Sequence, residues 1–161
     1  MIVREVMNHE VTTCRPQTTL EEAAMLMWNG DCGTVAIIDG ESRVTGIITD
    51  RDICMAVALQ HKTASEIQVR EVMSRNLFVC NPENDIMNAL KTMSFQRVRR
   101  LPVINDSGKL EGIISIEDII ARADRGRRGI QTPELSYDDT MTTLKAICRS
   151  HRGEGAAMDA L

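Results

Sequence analysis

An internal repeat with an offset of 66 residues constrains this chain more than any other feature of its sequence. Residues 3–58 align with residues 69–124 without a gap, and 15 of the 56 aligned pairs are identical. A single copy would bury only about 60% of its unfolded surface and would be marginally stable alone. We therefore expect the two copies to pack together, with related sites in two versions where they meet.

The hydrophobic pattern predicts the order β-α-β-β-α in both copies. In the first copy the predicted elements are strands at 11–14, 34–38 and 44–48 and helices that begin at Leu20 and Thr49. In the second copy they are strands at 77–80, 101–104 and 110–114 and helices at 85–95 and 115–124. Strands that are apolar throughout indicate a sheet covered by helices. The predicted fold class is α/β (α+β), with an aliphatic, methionine-rich core because aromatic residues are few.

The pattern changes after Asp124. Residues 125–133 carry two glycines and a proline and are predicted to form a loop. A Ser136-x-x-Asp139 capping box then precedes apolar residues at helical spacing, which predicts an amphipathic helix over 136–150 and a frayed tail from residue 153. The sequence leaves open whether this helix covers the chain's own core or binds a second subunit. The predicted domains are residues 1–64, 65–125 and 126–161.

Composition limits the partners that the chain can have. A net charge of −4 and an isoelectric point near 5.4 argue against general binding to nucleic acid or to anionic membranes. The basic cluster at Arg122, Arg125, Arg127 and Arg128 is interpreted as a solvated linker rather than a nucleic-acid patch. The longest uncharged apolar run, 53–59, is too short to span a bilayer, and the N-terminus does not resemble a signal peptide.

Five cysteines without a CxxC motif indicate free thiols and a reducing cytoplasmic compartment. Cys14 and Cys80 occupy equivalent positions in the repeat and are interpreted as small buried hydrophobic residues. The chain shows no GxSxG, HExxH, GxxxxGK[ST] or GxGxxG motif, and its three histidines are isolated. We therefore expect no catalytic activity, no required cofactor and no metal site.

Among the longer segments that the two copies share is the junction between the last strand and the second helix. It reads Gly-Ile-Ile-Thr-Asp-Arg-Asp-Ile at 46–53 and Gly-Ile-Ile-Ser-Ile-Glu-Asp-Ile at 112–119. A hydroxyl residue followed three positions later by Asp is a capping box, which needs no ligand. The same groups could instead bind a ribose diol and a phosphate. The pattern alone leaves these two interpretations equal.

Three further features favour a ligand. A glycine before two isoleucines in both copies lets another group approach the backbone closely, and we interpret that group as a flat ring. Arg97, Arg99 and Arg100 precede the strand at 101–104, which suggests a cleft that faces an anion. Simple surface ion pairing is the alternative. Arg51 in the first junction is replaced by Glu117 in the second, so the two sites should differ electrostatically.

Together these motifs resemble a tandem pair of cystathionine beta-synthase (CBS) domains, often called a Bateman module. The residues that carry the resemblance are Val-Arg-Glu-Val-Met at 3–7 and 69–73, Pro16 and Pro82, the run Arg-Arg-Leu-Pro-Val-Ile at 99–104, and both junctions. The resemblance covers residues 3–124. It implies a pseudo-twofold disc in which two small sheets pack together, with two clefts between them, and the predicted C-terminal helix is additional.

The resemblance also implies a function and its residues. Modules of this family typically bind adenosine-containing ligands such as AMP, ADP, ATP, NAD-type compounds or S-adenosylmethionine, and they act as sensors. Carried onto this sequence, one cleft uses Ser115, Asp118, Thr18, Cys32, Thr34 and Arg100. The other uses Thr49, Arg51, Asp52 and Val98, with atoms near Asn84, and Arg99 belongs to the arginine cluster of the second repeat. Repeat 1 has Gly33-Thr34-Val35-Ala36 instead of the Arg-Arg-Leu-Pro pattern, so the two clefts are not expected to be equivalent.

These observations define two main hypotheses and one minor one. The first is a regulatory module that binds an adenine nucleotide without chemistry of its own and acts on an unidentified effector protein. The second is a structural or interaction module that pairs as a homodimer through helical faces. Both can hold together, and we expect a homodimer. The third, nucleic-acid binding through Arg122–Arg128, is disfavoured by the acidic composition.

Overall fold

The computed structural model describes residues 1–124 and 135–148. Within these residues the strands are β1 (Thr13–Cys14), β2 (Thr34–Ile38), β3 (Val44–Thr49), β4 (Arg100–Ile104) and β5 (Leu110–Ser115). The helices are α1 (Leu20–Asn29), α2 (Asp50–Gln60), α3 (Val69–Val72), α4 (Ile86–Gln96), α5 (Ile116–Arg122) and α6 (Tyr137–Cys148). Single 3-10 turns lie at Val3–Glu5 and Ala64–Glu66. The mixed α/β class and the additional C-terminal helix are confirmed.

The strand predicted at 77–80 is wrong in extent. Among the described residues only Cys80 pairs, through an isolated parallel bridge to Val103. Its amide donates to the carbonyl of Pro102 at 3.1 Å, and its own carbonyl accepts from the amide of Ile104 at 2.9 Å. Pro82 follows almost at once and has no amide hydrogen to continue a ladder. The first strand of the second repeat is therefore reduced to one residue.

The chain divides into two compact units, and each unit is made of segments that are separate in the sequence. Unit 1 contains Met1–Met7, Glu83–Leu101 and the residues from Ile114 onward, and unit 2 contains Asn8–Pro82 and Pro102–Ile113. The boundaries between them run through β4 and β5. The domain limits proposed from the sequence, after residues 64 and 125, remain a prediction.

Unit 2 is built around a three-stranded sheet in the order β1-β2-β3. β1 pairs parallel with β2, and β2 pairs antiparallel with β3, so that Thr34 lies opposite Thr49. The turn between β2 and β3 is closed by Asp39, whose Oδ1 accepts from the amides of Glu41 and Arg43 at 2.9 Å each. Apolar side chains from the sheet and from α1, α2 and α3 form one core: Cys14, Leu20, Ala23, Met27, Val35, Ile37, Ile48, Ile53, Ala56, Ile67 and Val69.

Unit 1 packs α4, α5 and α6 with the first residues of the chain. Its fully buried side chains alternate with exposed ones at helical spacing on α4 and α5, as expected for helices with one apolar face. They include Val3, Ile86, Ala89, Leu90, Met93, Leu101, Ile114, Ile116, Ile119 and Leu135. The repeated sequence Val-Arg-Glu-Val-Met thus contributes to a core, and it folds as a short helical turn in both copies, which the sequence did not predict.

The two lead-in segments, residues 1–7 and 67–73, are exchanged between the repeats. In unit 1 the amide of Val3 donates to the carbonyl of Asn84 at 2.9 Å, and the amide of Ile86 donates to the carbonyl of Met1 at 3.1 Å. The same bonds recur 66 residues away in unit 2, where Val69 donates to Thr18 at 2.8 Å and Leu20 donates to Ile67 at 2.9 Å. Each repeat therefore places its lead-in segment against the first helix of the other repeat.

Helix α6 contacts α4 and α5 within unit 1. Its buried positions are Thr140 and Thr143, whose hydroxyls donate to helix carbonyls. Of the apolar residues at helical spacing, Leu144 is half-buried, and Tyr137, Met141 and Cys148 are exposed. The predicted helix is confirmed for the described residues, and it covers the chain's own helices with its threonine face. Its last predicted residues, the loop at 125–133, the tail from 153 and most of the arginine cluster lie outside the described residues.

The cysteines are free thiols. Cys14 and Cys80 are buried, which confirms the interpretation of both as small core residues. Burial raises the pKa of the Cys14 thiol, and it raises the pKa of Cys80 to about 12. Neutral, buried thiols are poor nucleophiles and poor metal ligands.

Candidate functional site

The junction in unit 2 is a complete capping box. Thr49 is the N-cap of α2, and its Oγ1 accepts from the amide of Asp52 at 3.2 Å. Oδ2 of Asp52 accepts in return from the amide and the hydroxyl of Thr49, at 2.9 and 2.7 Å. These bonds occupy one carboxylate oxygen only, and a carboxylate can accept about four hydrogen bonds. No described residue donates to Oδ1 of Asp52, so this oxygen is available to a ligand.

The junction in unit 1 has the same geometry. Ser115 is the N-cap of α5, and its Oγ accepts from the amide of Asp118 at 3.1 Å. Oδ2 of Asp118 accepts from the amide and hydroxyl of Ser115 at 2.8 and 2.5 Å. Both aspartates are only half-buried, and among the described residues nothing donates to Oδ1 of Asp118. In each junction the helix cap uses Oδ2 of the aspartate, and a ligand would use Oδ1. Capping and ligand binding therefore do not exclude each other.

Capping boxes also occur where no ligand is expected. Thr19 and Glu22 form one at the start of α1, and Ser136 and Asp139 form another at the start of α6. Hydrogen bonds from the backbone and hydroxyl of Thr19 lower the pKa of Glu22, as expected for a carboxylate engaged in a cap. The box by itself therefore does not identify a binding site. The residues that lie next to each junction must be considered as well.

The loop before β4 supplies the cations of unit 1. Arg97 ends α4 in a left-handed conformation with φ of 55°, and the amide of Val98 donates to the carbonyl of Met93 at 3.1 Å. The carbonyl of Arg99 accepts from the amide of Ile116, the first residue of α5, at 2.9 Å. Arg99 is exposed and Arg100 is half-buried at the start of β4. The structure thus brings Arg99 and Arg100 beside the Ser115–Asp118 junction.

The equivalent loop in unit 2 carries acids instead. Asp50 donates its amide to the carbonyl of Gly33 at 3.2 Å, in the same position as the Ile116–Arg99 bond of unit 1. The Asp50 carboxylate lies against Gly33, where a Cβ would be 3.0 Å from Oδ2. Asp31 lies in the same loop with φ of 45°. The sequence aligns Asp31 with Arg97 and Asp50 with Ile116, which shows the change of charge, but neither aspartate was predicted as a site residue.

A groove of about 400 Å³ in unit 2 lies between the end of α1 and the start of α2. It is lined by Ala24, Met27, Trp28, Asp31, Cys32, Gly33, Asp50 and Ile53. Cys32 is the one predicted ligand residue that reaches this groove. The groove carries the exposed carboxylates of Asp31 and Asp50. They disfavour a phosphate there, because like charges repel.

The other residues of unit 2 that were predicted to contact a ligand lie in two regions, the junction of Thr49 and Asp52 and the turn between β1 and α1. Thr34 is buried opposite Thr49 in the β2–β3 register, and its carbonyl accepts from Sγ of Cys32 at 3.4 Å. Arg51 is exposed in the first turn of α2. Thr18 lies in the turn between β1 and α1, where its Oγ1 accepts from the amide of Arg15 at 3.1 Å. Unit 2 therefore gathers Cys32, Thr34, Thr49, Arg51 and Asp52 around one junction.

The space beside Gly46 is filled by the protein, which corrects the interpretation that a flat ring approaches there. A Cβ at residue 46 would lie 2.6 Å from Sδ of Met73 and 3.2 Å from the carbonyl oxygen of Ser74. The amides of Ile47 and Ser74 donate to each other's carbonyls at 3.1 and 2.9 Å. Asn8 and Ile113 make the same pair of bonds in the second copy. The glycine admits the chain's own backbone rather than a ligand.

Replacing Gly46 with Ala should lower the free energy of unfolding by about 1–3 kcal/mol, because the new methyl group overpacks against Met73 and Ser74. Gly40→Ala is the matched control, since a Cβ there meets no atom within 4 Å. Its effect should stay within about 0.5 kcal/mol. Urea unfolding followed by circular dichroism measures both. Equal midpoints for the two variants would contradict the close packing at Gly46.

Comparison with known proteins identifies the family. A family model for the CBS domain matches residues 3–59 and 69–124, one match for each repeat. The chain belongs to the CBS domain family. The CBS pair of protein MJ0100, in complex with 5′-methylthioadenosine and S-adenosyl-L-methionine, is 25% identical with a TM-score of 0.69, and the match covers 75% of this chain and 94% of that one.

Curated CBS relatives include two proteins of similar sequence. An uncharacterized protein, MK0525 of Methanopyrus kandleri, is 35% identical over 118 residues, which span 73% of this chain and 60% of that protein. CBS domain-containing protein YhcV of Bacillus subtilis is 32% identical over 117 residues, covering 73% of this chain and 81% of that protein. The chain thus spans less than two thirds of the Methanopyrus relative.

No group of three histidine, cysteine, aspartate or glutamate side chains among residues 1–124 and 135–148 is placed to hold a metal ion. No helix formed by those residues is both long enough and apolar enough to cross a membrane.

Proposed function

We propose that this CBS pair is a regulatory module that binds an adenine nucleotide, such as AMP, ADP or ATP, and that it performs no chemistry itself. One observation carries the proposal: each repeat presents a capped helix start with an aspartate oxygen, Oδ1 of Asp52 or Asp118, that no described residue uses. A vicinal diol such as that of ribose donates two hydrogen bonds and suits such an acceptor. The adenosyl ligands bound to the MJ0100 pair support this class of ligand.

The charges around the two junctions favour different ligands. In unit 1, Arg99 and Arg100 stand beside Ser115 and Asp118, so we propose that this junction binds the ribose and phosphate of a nucleotide. In unit 2, Asp31 and Asp50 stand near Thr49 and Asp52, and Arg51 is the cation within the helix turn. We propose that this second junction binds phosphate more weakly, or prefers an uncharged or cationic adenosyl compound such as S-adenosylmethionine.

Thermal unfolding of the full chain tests the proposal. AMP, ADP, ATP, NADH and S-adenosylmethionine are each added at millimolar concentration, with GMP as the control for the base. A ligand at 100 times its Kd stabilises the folded state by about 2.7 kcal/mol. For a chain of this length the midpoint should rise by roughly 5–10 °C. If none of the five compounds shifts the midpoint more than GMP does, the adenosyl proposal is wrong.

A second candidate function, a dimerising interaction module, is favoured by the exposed apolar side chains of α1 and α2. We propose a homodimer and an effector protein as its partners. The five free cysteines support a reducing cytoplasmic location. Nucleotide binding and self-association are compatible. Thermal unfolding with added ligands tests nucleotide binding, and sedimentation velocity of the full chain tests self-association.

A further inference from the structure

Met73 fixes the lead-in segment 67–73 against the sheet of unit 2. Its side chain is half-buried and packs against the apolar core of that unit. It fills the space over Gly46, where a Cβ would lie 2.6 Å from Sδ and 3.1 Å from Cγ of Met73. The backbone continues this contact, because the amides of Ile47 and Ser74 donate to each other's carbonyls. The Met73 thioether is therefore a direct contact between the lead-in segment and β3.

Two parts of unit 2 depend on this contact. The lead-in segment carries Ile67 and Val69, which are both fully buried in the core. On the other side of the contact, Gly46 lies in β3 and precedes Thr49, the N-cap of α2, in the same strand. A change in the size or polarity of the Met73 side chain therefore acts both on the core and on the strand that carries the candidate junction.

The equivalent methionine of the first copy is shielded. Met7 occupies the position of Met73 in repeat 1 and is 6% exposed, whereas Met73 is half-buried. Oxidants reach exposed sulfur more readily than buried sulfur. Met25, Met55 and Met141 are more exposed still, so a change in the polarity of their side chains disturbs little packing. Met73 combines access to solvent with a contact in which the sulfur is closely packed.

We propose that Met73 is a redox-sensitive latch, and that a peroxide opens it by oxidising Sδ to the sulfoxide. In this step a sulfur lone pair forms the new S–O bond while the O–O bond of the peroxide breaks, so sulfur loses two electrons and hydrogen peroxide is reduced to water. The sulfoxide is larger and polar, and the space beside Gly46 has no room for the added oxygen. A buried polar group without a hydrogen-bond partner is costly, so residues 67–73 separate from β3. Methionine sulfoxide reductases reverse the oxidation and close the latch again.

Oxidation of the full chain with hydrogen peroxide tests the proposal, with Met73→Leu as the matched variant. Leucine conserves the volume of the side chain and has no sulfur to oxidise. Mass spectrometry of peptides measures the sulfoxide at each methionine, and thermal unfolding is recorded at each time point. The midpoint of the wild type should fall by roughly 3–10 °C as Met73 is oxidised, because the added oxygen overpacks the contact. Met73→Leu should keep its midpoint within about 2 °C, although Met25, Met55 and Met141 are oxidised to the same extent.

Hydrogen exchange gives a second readout that needs no variant. The amides of residues 67–74 should exchange at least about tenfold faster in the oxidised wild type. Treatment with methionine sulfoxide reductases should restore both the exchange rate and the midpoint. The proposal is overturned if Met73 stays reduced while the exposed methionines are converted, or if its oxidation leaves the midpoint and the exchange unchanged. It is also overturned if Met73→Leu loses as much stability on oxidation as the wild type. None of these measurements depends on nucleotide binding.

Discussion

Met93→Ala should lower the free energy of unfolding by about 2–5 kcal/mol, the largest effect expected of any substitution considered for this chain. Met93 is on the inner face of α4 in unit 1 and is 0% exposed. Its carbonyl also accepts from the amides of Arg97 and Val98, which start the arginine loop. Removing its side chain leaves a cavity under the segment that places Arg99 and Arg100. Urea unfolding of the full chain measures the loss.

Met141→Ala is the matched control, because Met141 is a methionine of the same unit that is 51% exposed on α6. Truncating it should change the free energy of unfolding by no more than about 0.5 kcal/mol. A loss of stability as large as that of Met93→Ala would mean that Met141 is buried in solution, against a second molecule. A negligible effect of Met93→Ala would contradict the packing of unit 1.

Asp118→Ala should weaken the binding of AMP, or of whichever tested compound gives the largest thermal shift, by roughly tenfold to a hundredfold. Losing a charged hydrogen-bond acceptor costs about 1.5–3 kcal/mol, and tenfold in Kd is about 1.4 kcal/mol. The same substitution removes one half of the capping box of α5, which destabilises the helix start by about 0.5–2 kcal/mol. Isothermal titration calorimetry measures the affinity directly and separates it from stability.

The capping box of α6 supplies the control for this experiment. Asp139→Ala breaks the bonds between Ser136 and Asp139, which copy those between Ser115 and Asp118. It should lower stability by a similar amount and leave the affinity unchanged. If both variants bind equally well, and the Asp52/Asp118 double variant also binds like the wild type, the junctions are helix caps only.

The elements that the sequence predicted best have strong local signals. β2 was predicted residue for residue because an apolar run is followed by the Asp39–Gly40 turn, and both junction helices begin after the hydroxyl residue of a capping box. The strand at 77–80 was overestimated because its side chains suit a strand but Pro82 ends the ladder. The turn at Val3–Glu5 was missed because three residues give no helical periodicity.

The candidate site was predictable in its side chains but not in its surroundings. The repeat alone identified Thr49, Asp52, Ser115 and Asp118, since equivalent polar residues at a helix start stand out in an apolar context. The contact of Gly46 with Met73 and Ser74 could not be predicted, because it depends on which distant segment fills the space. The carboxylates of Asp31 and Asp50 come together only when the two helix ends meet.

The exchanged lead-in segments have a consequence for how this protein can be dissected or could have evolved. A fragment that begins at residue 8 and stops before residue 67 keeps β1–β3, α1 and α2 but loses Ile67 and Val69, both fully buried in its core. Neither half can be excised along the repeat boundary without opening its own interior. An ancestral polypeptide with a single copy would have needed a sister molecule to donate the missing turn, and duplication would have joined the two donors in one gene.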